Sequence, residues 1–311
     1  MIQYVESFIR HLGEEKGLSQ STLESYERDL RQFFEFASRQ GIQSVDEIKK
    51  LHVSMHMNEM KQSGFAASTV MRKLVSLRSF FHYMVKESLM EQDPTLYLES
   101  PKPKKKVPQI LSVEQVERLL AAPDLSTSPG IRDKAMLELL YATGMKVSEL
   151  TSLNVEDVYP DMKFLRCTSS SGKERVLPIS SISAEAVSTY IHRIRPQLVK
   201  DERENGLFLN NLGTRLTRQG FWKILKKYAA EAGIDGDITP HTLRHSFAAH
   251  LLEDGADIRS VQEMLGHSDM SAAPIYSLLT KKAMKDVYQS HHPRERAYLT
   301  MSKERNGNDN D

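Results

Sequence analysis

The chain has 311 residues, of which 40% are hydrophobic and 27% charged, a composition typical of a soluble globular protein with two domains of ordinary size. No apolar segment is long enough to cross a bilayer, and the formal net charge of only +1 gives no argument for nucleic-acid binding from the total charge. The single cysteine, Cys167, excludes an intramolecular disulfide and suits a reducing compartment, so we expect a cytoplasmic protein in which this small side chain is half-buried.

The N-terminal region, residues 1–98, is predicted to be helical throughout, because its apolar residues recur at helical spacing. Polar residues at 19–22 and at 68–69 are N-cap candidates for two longer helices. The second of these helices carries Arg72, Lys73 and Arg78. Such a pattern is typical of a solvated polar face and also of phosphate contacts.

A basic, proline-rich segment, residues 99–109, separates this region from the rest of the chain. Its three prolines deny it a regular helix, and its four lysines are Lys102, Lys104, Lys105 and Lys106. Ordinary solvated linkers share this composition, and so do semi-rigid straps that lie along a nucleic-acid duplex. We take the segment as the domain boundary.

The C-terminal region, residues 110–293, is predicted to be mostly helical with one β-hairpin. Ser112 is placed to cap a first helix and Gly144 to end a second one. Two short strands at 163–168 and 174–179 bracket a turn, helices resume near 183 and run nearly to the end, and residues 294–311 form a polar tail. The predicted fold class is therefore mainly α, with a mixed α/β second domain that contains a small β-hairpin sheet.

Four residues in a fixed order form a constellation suited to a phosphodiester. His241 and Arg244 are spaced i, i+3 in the first turn of a helix that begins at Thr239-Pro240, and a helix N-terminus already favours anions. His267 follows the Gly266 that ends a later helix, and Tyr276 lies nine residues beyond it. Each alone has an ordinary explanation as a capping or core residue, but together they suit holding a phosphate and attacking it with a phenol.

The chain resembles the tyrosine recombinases of the phage-integrase superfamily, and most of all the bacterial Xer type. The motifs that carry this resemblance are A-T-G-M-K-V-S-E-L at 142–150, K-E-R-V-L-P-I at 173–179, H-T-L-R-H at 241–245, L-G-H-S at 265–268 and the tyrosine at 276. The helical N-terminal domain and the basic linker also match, so the resemblance covers nearly the whole chain. It implies a SAM-like, core-binding N-terminal domain and a catalytic C-terminal domain.

In this family a tyrosine attacks the scissile phosphate while fixed cationic donors stabilise the charge on its nonbridging oxygens. The resemblance implies that Tyr276 is the nucleophile, that Arg244 is the second of two arginines, and that His241 is the flanking base or donor. It makes His267 the assisting residue and Glu149 the acid that orients the first arginine from behind. No metal or other cofactor is implied.

The chain departs from the family pattern at three places. Lys146 stands where the first arginine belongs, so the charge is kept but the two-pronged guanidinium is lost. The family hairpin reads G-K-G-x-K-E-R, with its first lysine as general acid, whereas Ser170 occupies that place here. Lys173 could substitute, although a shift of three residues in a hairpin could turn it to the wrong face. Pro274, just before the tyrosine, could restrain the movement of that segment.

The resemblance implies double-stranded DNA at a specific recombination site as the partner, bound by a homo- or hetero-tetramer that includes a second recombinase, with no membrane and no small-molecule substrate. The implied task is the resolution of chromosome dimers before cell division. Predicted DNA contacts are the residues Arg72, Lys73, Arg78, the four linker lysines, Arg215 and Arg218. The alternatives are a catalytically weakened or silent DNA-binding paralogue that acts with an active partner, and a plain helical transcription regulator.

Overall fold

The computed structural model describes residues 1–98, 109–169, 172–266 and 291–294. The chain divides into two compact units, Met1–Lys106 and Val107–Asp311, and the division falls within the predicted linker. The described residues are mostly helical with one small antiparallel sheet, which confirms the predicted fold class. None of the helices in these ranges combines the length and the apolar character that spanning a membrane requires.

Within residues 1–98 the first unit contains four α-helices, which are α1 (Ile2–Glu14), α2 (Gln20–Arg39), α3 (Lys50–Gln62) and α4 (Ala67–Lys86). Their apolar faces meet in a core rich in phenylalanine, whose buried rings are Phe8, Phe33, Phe34, Phe36, Phe80 and Phe81. Several of these rings meet edge to face, the arrangement that aromatic quadrupoles favour.

The two predicted N-caps of this unit have different outcomes. Helix α2 begins directly after Ser19, within the predicted capping segment. Helix α4 begins at Ala67 with Ala66 as its N-cap, so the predicted cap at 68–69 is wrong. The backbone carbonyl of Ala66 accepts the first helical N–H bonds, from Thr69 and Val70, and this requires no polar side chain at the cap.

The second unit contains eight helices among its described residues. They are α5 (Val113–Ala121), α6 (Ser128–Thr143), α7 (Val147–Ser152), α8 (Ser181–Thr189), α9 (Arg195–Leu198), α10 (Arg218–Glu231), α11 (Pro240–Glu253) and α12 (Ile258–Leu265). Helix α6 is the centre of this unit, buried along most of its length and in contact with α5, α7, α8 and α11. The predicted cap at Ser112 is confirmed, because its Oγ accepts the backbone N–H of Gln115 at 3.2 Å. The predicted C-cap Gly144 adopts φ +58°, a left-handed conformation.

The sheet of this unit has three strands in the order β1 (Val158–Tyr159), β2 (Phe164–Thr168) and β3 (Glu174–Pro178). The hairpin of β2 and β3 was predicted, and the two-residue β1 was not. Leu165 pairs with Leu177 and Cys167 with Arg175, so these four residues share the inner face. Cys167 is therefore fully buried rather than half-buried, and burial raises the pKa of its thiol to about 12.

The prediction of helices from about 183 nearly to the end is wrong for residues 199–217. Helix α8 starts at Ser181 and passes through a π-helical turn, Tyr190–Ile194, into the short α9. The following segment is irregular and is fixed by a bridge between Leu209 and Arg215 and by a bond of 2.9 Å from Arg195 Nε to the carbonyl of Gly206.

Candidate active site

The first turn of α11 positions the two residues of the H-T-L-R-H motif. Thr239 is the N-cap, its Oγ1 accepts the N–H of Thr242 at 3.3 Å, and Pro240 follows at the first helical position. The His241 side chain lies exposed, whereas Arg244, three residues later, is only 6% exposed. The predicted helix start is confirmed, and the two side chains differ sharply in their surroundings.

The guanidinium of Arg244 joins two distant segments of the chain. Nη1 donates to the carbonyl of Gly144 at 2.5 Å, and Nη2 donates to the carbonyl of Leu265 at 2.6 Å. Burial lowers the pKa of this guanidinium and nearby Glu149 raises it, but an arginine remains charged at physiological pH. A fixed positive charge therefore lies where α11, the end of α6 and the end of α12 converge.

The A-T-G-M-K-V-S-E-L motif lies at this same point. Lys146 directly precedes α7, and its side chain is exposed. Glu149, only 3% exposed, accepts the backbone N–H of Lys146 at its Oε2 atom, 2.8 Å away. Glu149 thus fixes the backbone at Lys146 from behind, and the orienting role that the family resemblance implies for it stays a prediction.

Sequence reasoning missed Arg175, which lies on β3 within this cluster. Its Nη1 and Nη2 donate to the two carboxylate oxygens of Glu149 at 3.1 and 2.7 Å, and its Nε donates to the carbonyl of Met264 at 3.1 Å. Burial would raise the pKa of Glu149, but the bonds from Arg175 and from the Lys146 N–H outweigh it and lower that pKa. One signal in the sequence could have revealed Arg175. It is a charged residue two positions before the apolar Leu177, so both residues fall on the same face of a strand.

The hairpin tip carries Lys173, whose side chain is exposed. The Ser169 N–H donates to the Lys173 carbonyl at 2.8 Å, and the Lys173 N–H donates to Ser169 Oγ at 3.1 Å. Lys173 lies directly before β3, two residues before Arg175. Ser170 lies outside the described residues.

His267 and Tyr276 also lie outside the described residues. The structure ends α12 at Leu265 and places Gly266 in the left-handed conformation with φ +67°, as predicted for the glycine that precedes His267. His245, one turn after His241 on α11, brings its ring centroid to 6.4 Å from that of His241.

The predicted DNA-contacting residues of the first unit are engaged in different ways. Arg72 is exposed but pairs with the buried carboxylate of Asp29, which also accepts a bond of 2.9 Å from Ser76 Oγ. Lys73 is 7% exposed, bonds to Gln32 and lies 3.4 Å from Asp29. Arg78 donates to the backbone carbonyl of Leu98. The four linker lysines lie outside the described residues.

In the second unit, the side chain of Arg215 is bonded within the unit, whereas that of Arg218 is exposed. Arg215 donates to the carbonyl of Leu153 at 2.9 Å and to Asn154 Oδ1 at 2.6 Å, so its guanidinium ties an irregular segment to the end of α7. Arg218 is the first residue of α10 and is exposed. The surroundings of Lys73 and Arg215 thus give both residues structural roles within their own units.

The chain matches two family models, the phage integrase family over residues 109–283 and the phage integrase N-terminal SAM-like domain over residues 5–88. It is 46% identical to the tyrosine recombinase XerD of Oceanobacillus iheyensis, across 94% of this chain and 100% of that protein. Identity to the XerD of Listeria monocytogenes is 45%, with the same coverage of both chains.

Solved structures share the fold at lower identity. The Tn1549 transposon integrase in complex with circular intermediate DNA has a TM-score of 0.70 at 20% identity, covering 96% of this chain and 98% of that one. The XerH recombinase bound to its palindromic difH substrate has a TM-score of 0.66 at 19% identity, covering 91% of this chain and 79% of that one. The chain therefore belongs to the phage integrase family, as a tyrosine-type site-specific recombinase of the Xer kind.

Proposed function

We propose that the chain cuts and rejoins double-stranded DNA at a specific site through a 3′-phosphotyrosine intermediate formed by Tyr276. The observation that carries this proposal is the anchoring of Arg244 between the carbonyls of Gly144 and Leu265. Those two bonds bring the H-T-L-R-H helix, the loop that leads to Lys146 and the helix end that leads to His267 to one point.

The proposed reaction is a transfer of one phosphoryl group. The Tyr276 hydroxyl gives its proton to a base such as His241 while its oxygen attacks the scissile phosphorus in line. A new P–O bond forms, and the bond to the 5′ oxygen breaks. That oxygen leaves with a proton as a 5′-hydroxyl, which can later reverse the step on the same or on another strand. The intermediate keeps the energy of the phosphodiester bond, so the reaction as proposed needs neither ATP nor a metal ion.

The cationic residues stabilise the charge that develops on the nonbridging oxygens. Arg244 is suited to this role because its buried guanidinium is held in place before substrate arrives. Lys146 supplies a second positive charge from a backbone position that Glu149 fixes. His241 and His267 serve as further donors or bases beside the phosphate.

We assign the general acid to Lys173 in place of the family lysine that Ser170 replaces. Lys173 lies directly before β3 and two residues before Arg175, so the alternation of the strand, if extended by one residue, turns both side chains to one face. This placement supports the assignment, since Arg175 contacts Glu149 behind Lys146. An ammonium group there can protonate the leaving 5′ oxygen, which a serine hydroxyl does poorly.

For DNA binding we retain Arg72, Arg78, Arg218 and the linker lysines Lys102, Lys104, Lys105 and Lys106 as phosphate contacts. Exposure of Arg72 and Arg218 supports their inclusion. Lys73 and Arg215 were part of the same prediction, but their bonds to Asp29, Gln32, Leu153 and Asn154 leave the proposal without support at these two residues.

We further propose a homo- or hetero-tetramer on DNA that includes a second recombinase, acting in the cytoplasm to resolve chromosome dimers. Support comes from relatives named XerD at 46% and 45% identity and from solved relatives bound to DNA. The alternative of a catalytically silent paralogue is not favoured, since relatives that match nearly the whole chain are named recombinases.

The proposal is tested by covalent trapping. The protein is incubated with a nicked suicide duplex that carries a candidate dimer-resolution site of its own genome, and the products are separated on a denaturing gel. A protein–DNA adduct that forms with wild type and is lost in Tyr276→Phe is the expected result. An adduct that persists in Tyr276→Phe would show that the nucleophile is assigned wrongly. Binding without any adduct would favour the silent paralogue or a need for an activating partner.

A further inference from the structure

We propose that Arg175 is a positioning residue of the cleavage reaction, which holds the backbone of Lys146, the hairpin that carries Lys173 and the end of α12 that precedes His267 in one arrangement. The inference rests on the proposed function, because these three residues matter only if the chain cleaves DNA. Arg175 itself acts through Glu149 and through the backbone at the end of α12, and it needs no contact with the phosphate.

The first link is an ion pair between β3 and α7. The guanidinium of Arg175 meets the Glu149 carboxylate with two parallel bonds of 3.1 and 2.7 Å, a geometry that a lysine cannot reproduce. The same carboxylate accepts the Lys146 N–H at 2.8 Å. The hairpin that carries Lys173 and the backbone of Lys146 are therefore fixed by a single buried carboxylate.

The second link joins β3 to the end of α12. Arg175 Nε donates to the carbonyl of Met264 at 3.1 Å, and Arg244 donates to the next carbonyl, that of Leu265. The guanidinium also packs against Gly266, where an added Cβ would lie 3.1 Å from Arg175 Cζ. Two arginines thus hold consecutive carbonyls at the point where the chain leaves α12 towards His267.

The third observation is that the ion pair is withdrawn from solvent. Glu149 is 3% exposed, and the inner-face neighbour of Arg175 across the sheet is the buried Cys167. A buried carboxylate that lost its partner would be strongly destabilised, so it would move or take up a proton. Any such change reaches Lys146 directly through the backbone bond.

The decisive variant is Arg175→Lys, which keeps the positive charge but removes the guanidinium that bonds to both carboxylate oxygens of Glu149. Arg166→Lys is the matched control, because Arg166 lies on β2 of the same hairpin and pairs with Asp157, away from Glu149. For each protein the non-covalent Kd for an intact duplex with the candidate site and the single-turnover rate of adduct formation on the nicked duplex are measured. The free energy of unfolding in urea is measured alongside.

For Arg175→Lys we expect the single-turnover rate to fall by about 10²-fold, as small misplacements of reacting groups do, while the Kd changes by less than about 3-fold. Arg166→Lys should leave both within that margin. A purely structural ion pair would instead lower stability and DNA binding together with the rate. Arg175→Lys that cleaves like wild type, or that loses binding and cleavage in proportion, would overturn the inference.

Amide hydrogen exchange provides a readout that does not depend on activity. In Arg175→Lys, peptides from the β2–β3 hairpin and from the end of α12 should exchange faster together, whereas peptides from α5 should not change. Unchanged exchange in those two segments would refute the coupling. If wild type forms no adduct that depends on Tyr276, the proposed function fails, and the exchange data still decide whether Arg175 joins these segments.

Discussion

Gly144 offers a sharp test of how the site is packed, through the variant Gly144→Ala. The residue has φ +58°, a region that costs an alanine roughly 1–2 kcal/mol. Its added Cβ would also lie 2.3 Å from Phe247 Cδ1 and 2.9 Å from Leu265 Cδ2, both in the core of the second unit. Overpacking of this kind costs roughly 1–3 kcal/mol more. We therefore expect a total loss of about 2–5 kcal/mol.

Gly233→Ala is the matched control for this variant. Gly233 also has a positive φ, +63°, but an added Cβ there would meet nothing within 4 Å. The control should therefore lose only the conformational part, about 1–2 kcal/mol. The difference between the two variants isolates the steric cost at Gly144.

The assay is urea unfolding followed by tryptophan fluorescence. The chain has one tryptophan, Trp222 on α10, so the signal reports on the second unit. Equal losses of unfolding free energy in the two alanine variants would refute the packing argument. Because the Gly144 carbonyl accepts the Arg244 bond, we also expect Gly144→Ala, but not Gly233→Ala, to slow adduct formation.

Three further predictions concern single side chains. Burial lowers the pKa of His56 to about 4, below its unfolded value of 6.5. The free energy of unfolding present above pH 6.5 should therefore fall by about 3 kcal/mol as the pH drops to 4. In urea unfolding of the first unit, His56→Leu should lack this pH-dependent loss. Lys146→Arg restores a guanidinium with two donors and should raise the single-turnover rate of adduct formation about 10-fold. This gain is a fraction of the roughly 10²–10³-fold in rate that one fixed hydrogen-bond donor contributes. Lys173→Gln should slow cleavage of ordinary DNA by about 10²-fold or more but barely slow cleavage of a 5′-bridging phosphorothiolate, whose sulfur leaves without a proton.

Each of these has a contrary outcome. Identical pH profiles of wild type and His56→Leu would show that this histidine is not kept neutral by burial. A Lys146→Arg variant that cleaves no faster would mean that the site already compensates for the lysine. If Lys173→Gln slows both substrates equally, Lys173 is not the general acid, and restoration by Ser170→Lys would then return that role to the family position.

Local signals along the chain determined much of this protein. Ser112, Thr239, Gly144 and Gly266 were identifiable as helix ends because caps depend on a few neighbouring residues and on the φ that glycine permits. Hydrophobic spacing determined the helical class and the hairpin. The ordered motifs determined the family, since such patterns survive where overall identity is low.

Only the tertiary structure decided what the charged residues contact. Nothing near Arg244 in the sequence indicates Gly144, one hundred positions away, and nothing near Arg175 indicates Glu149 or Met264. Basic residues look alike in a sequence, yet Lys73 is buried beside Asp29 whereas Arg218 is exposed. The physical reason is that a buried charge requires a partner, and that partner is supplied by whichever distant segment the packing of the core brings within hydrogen-bond distance.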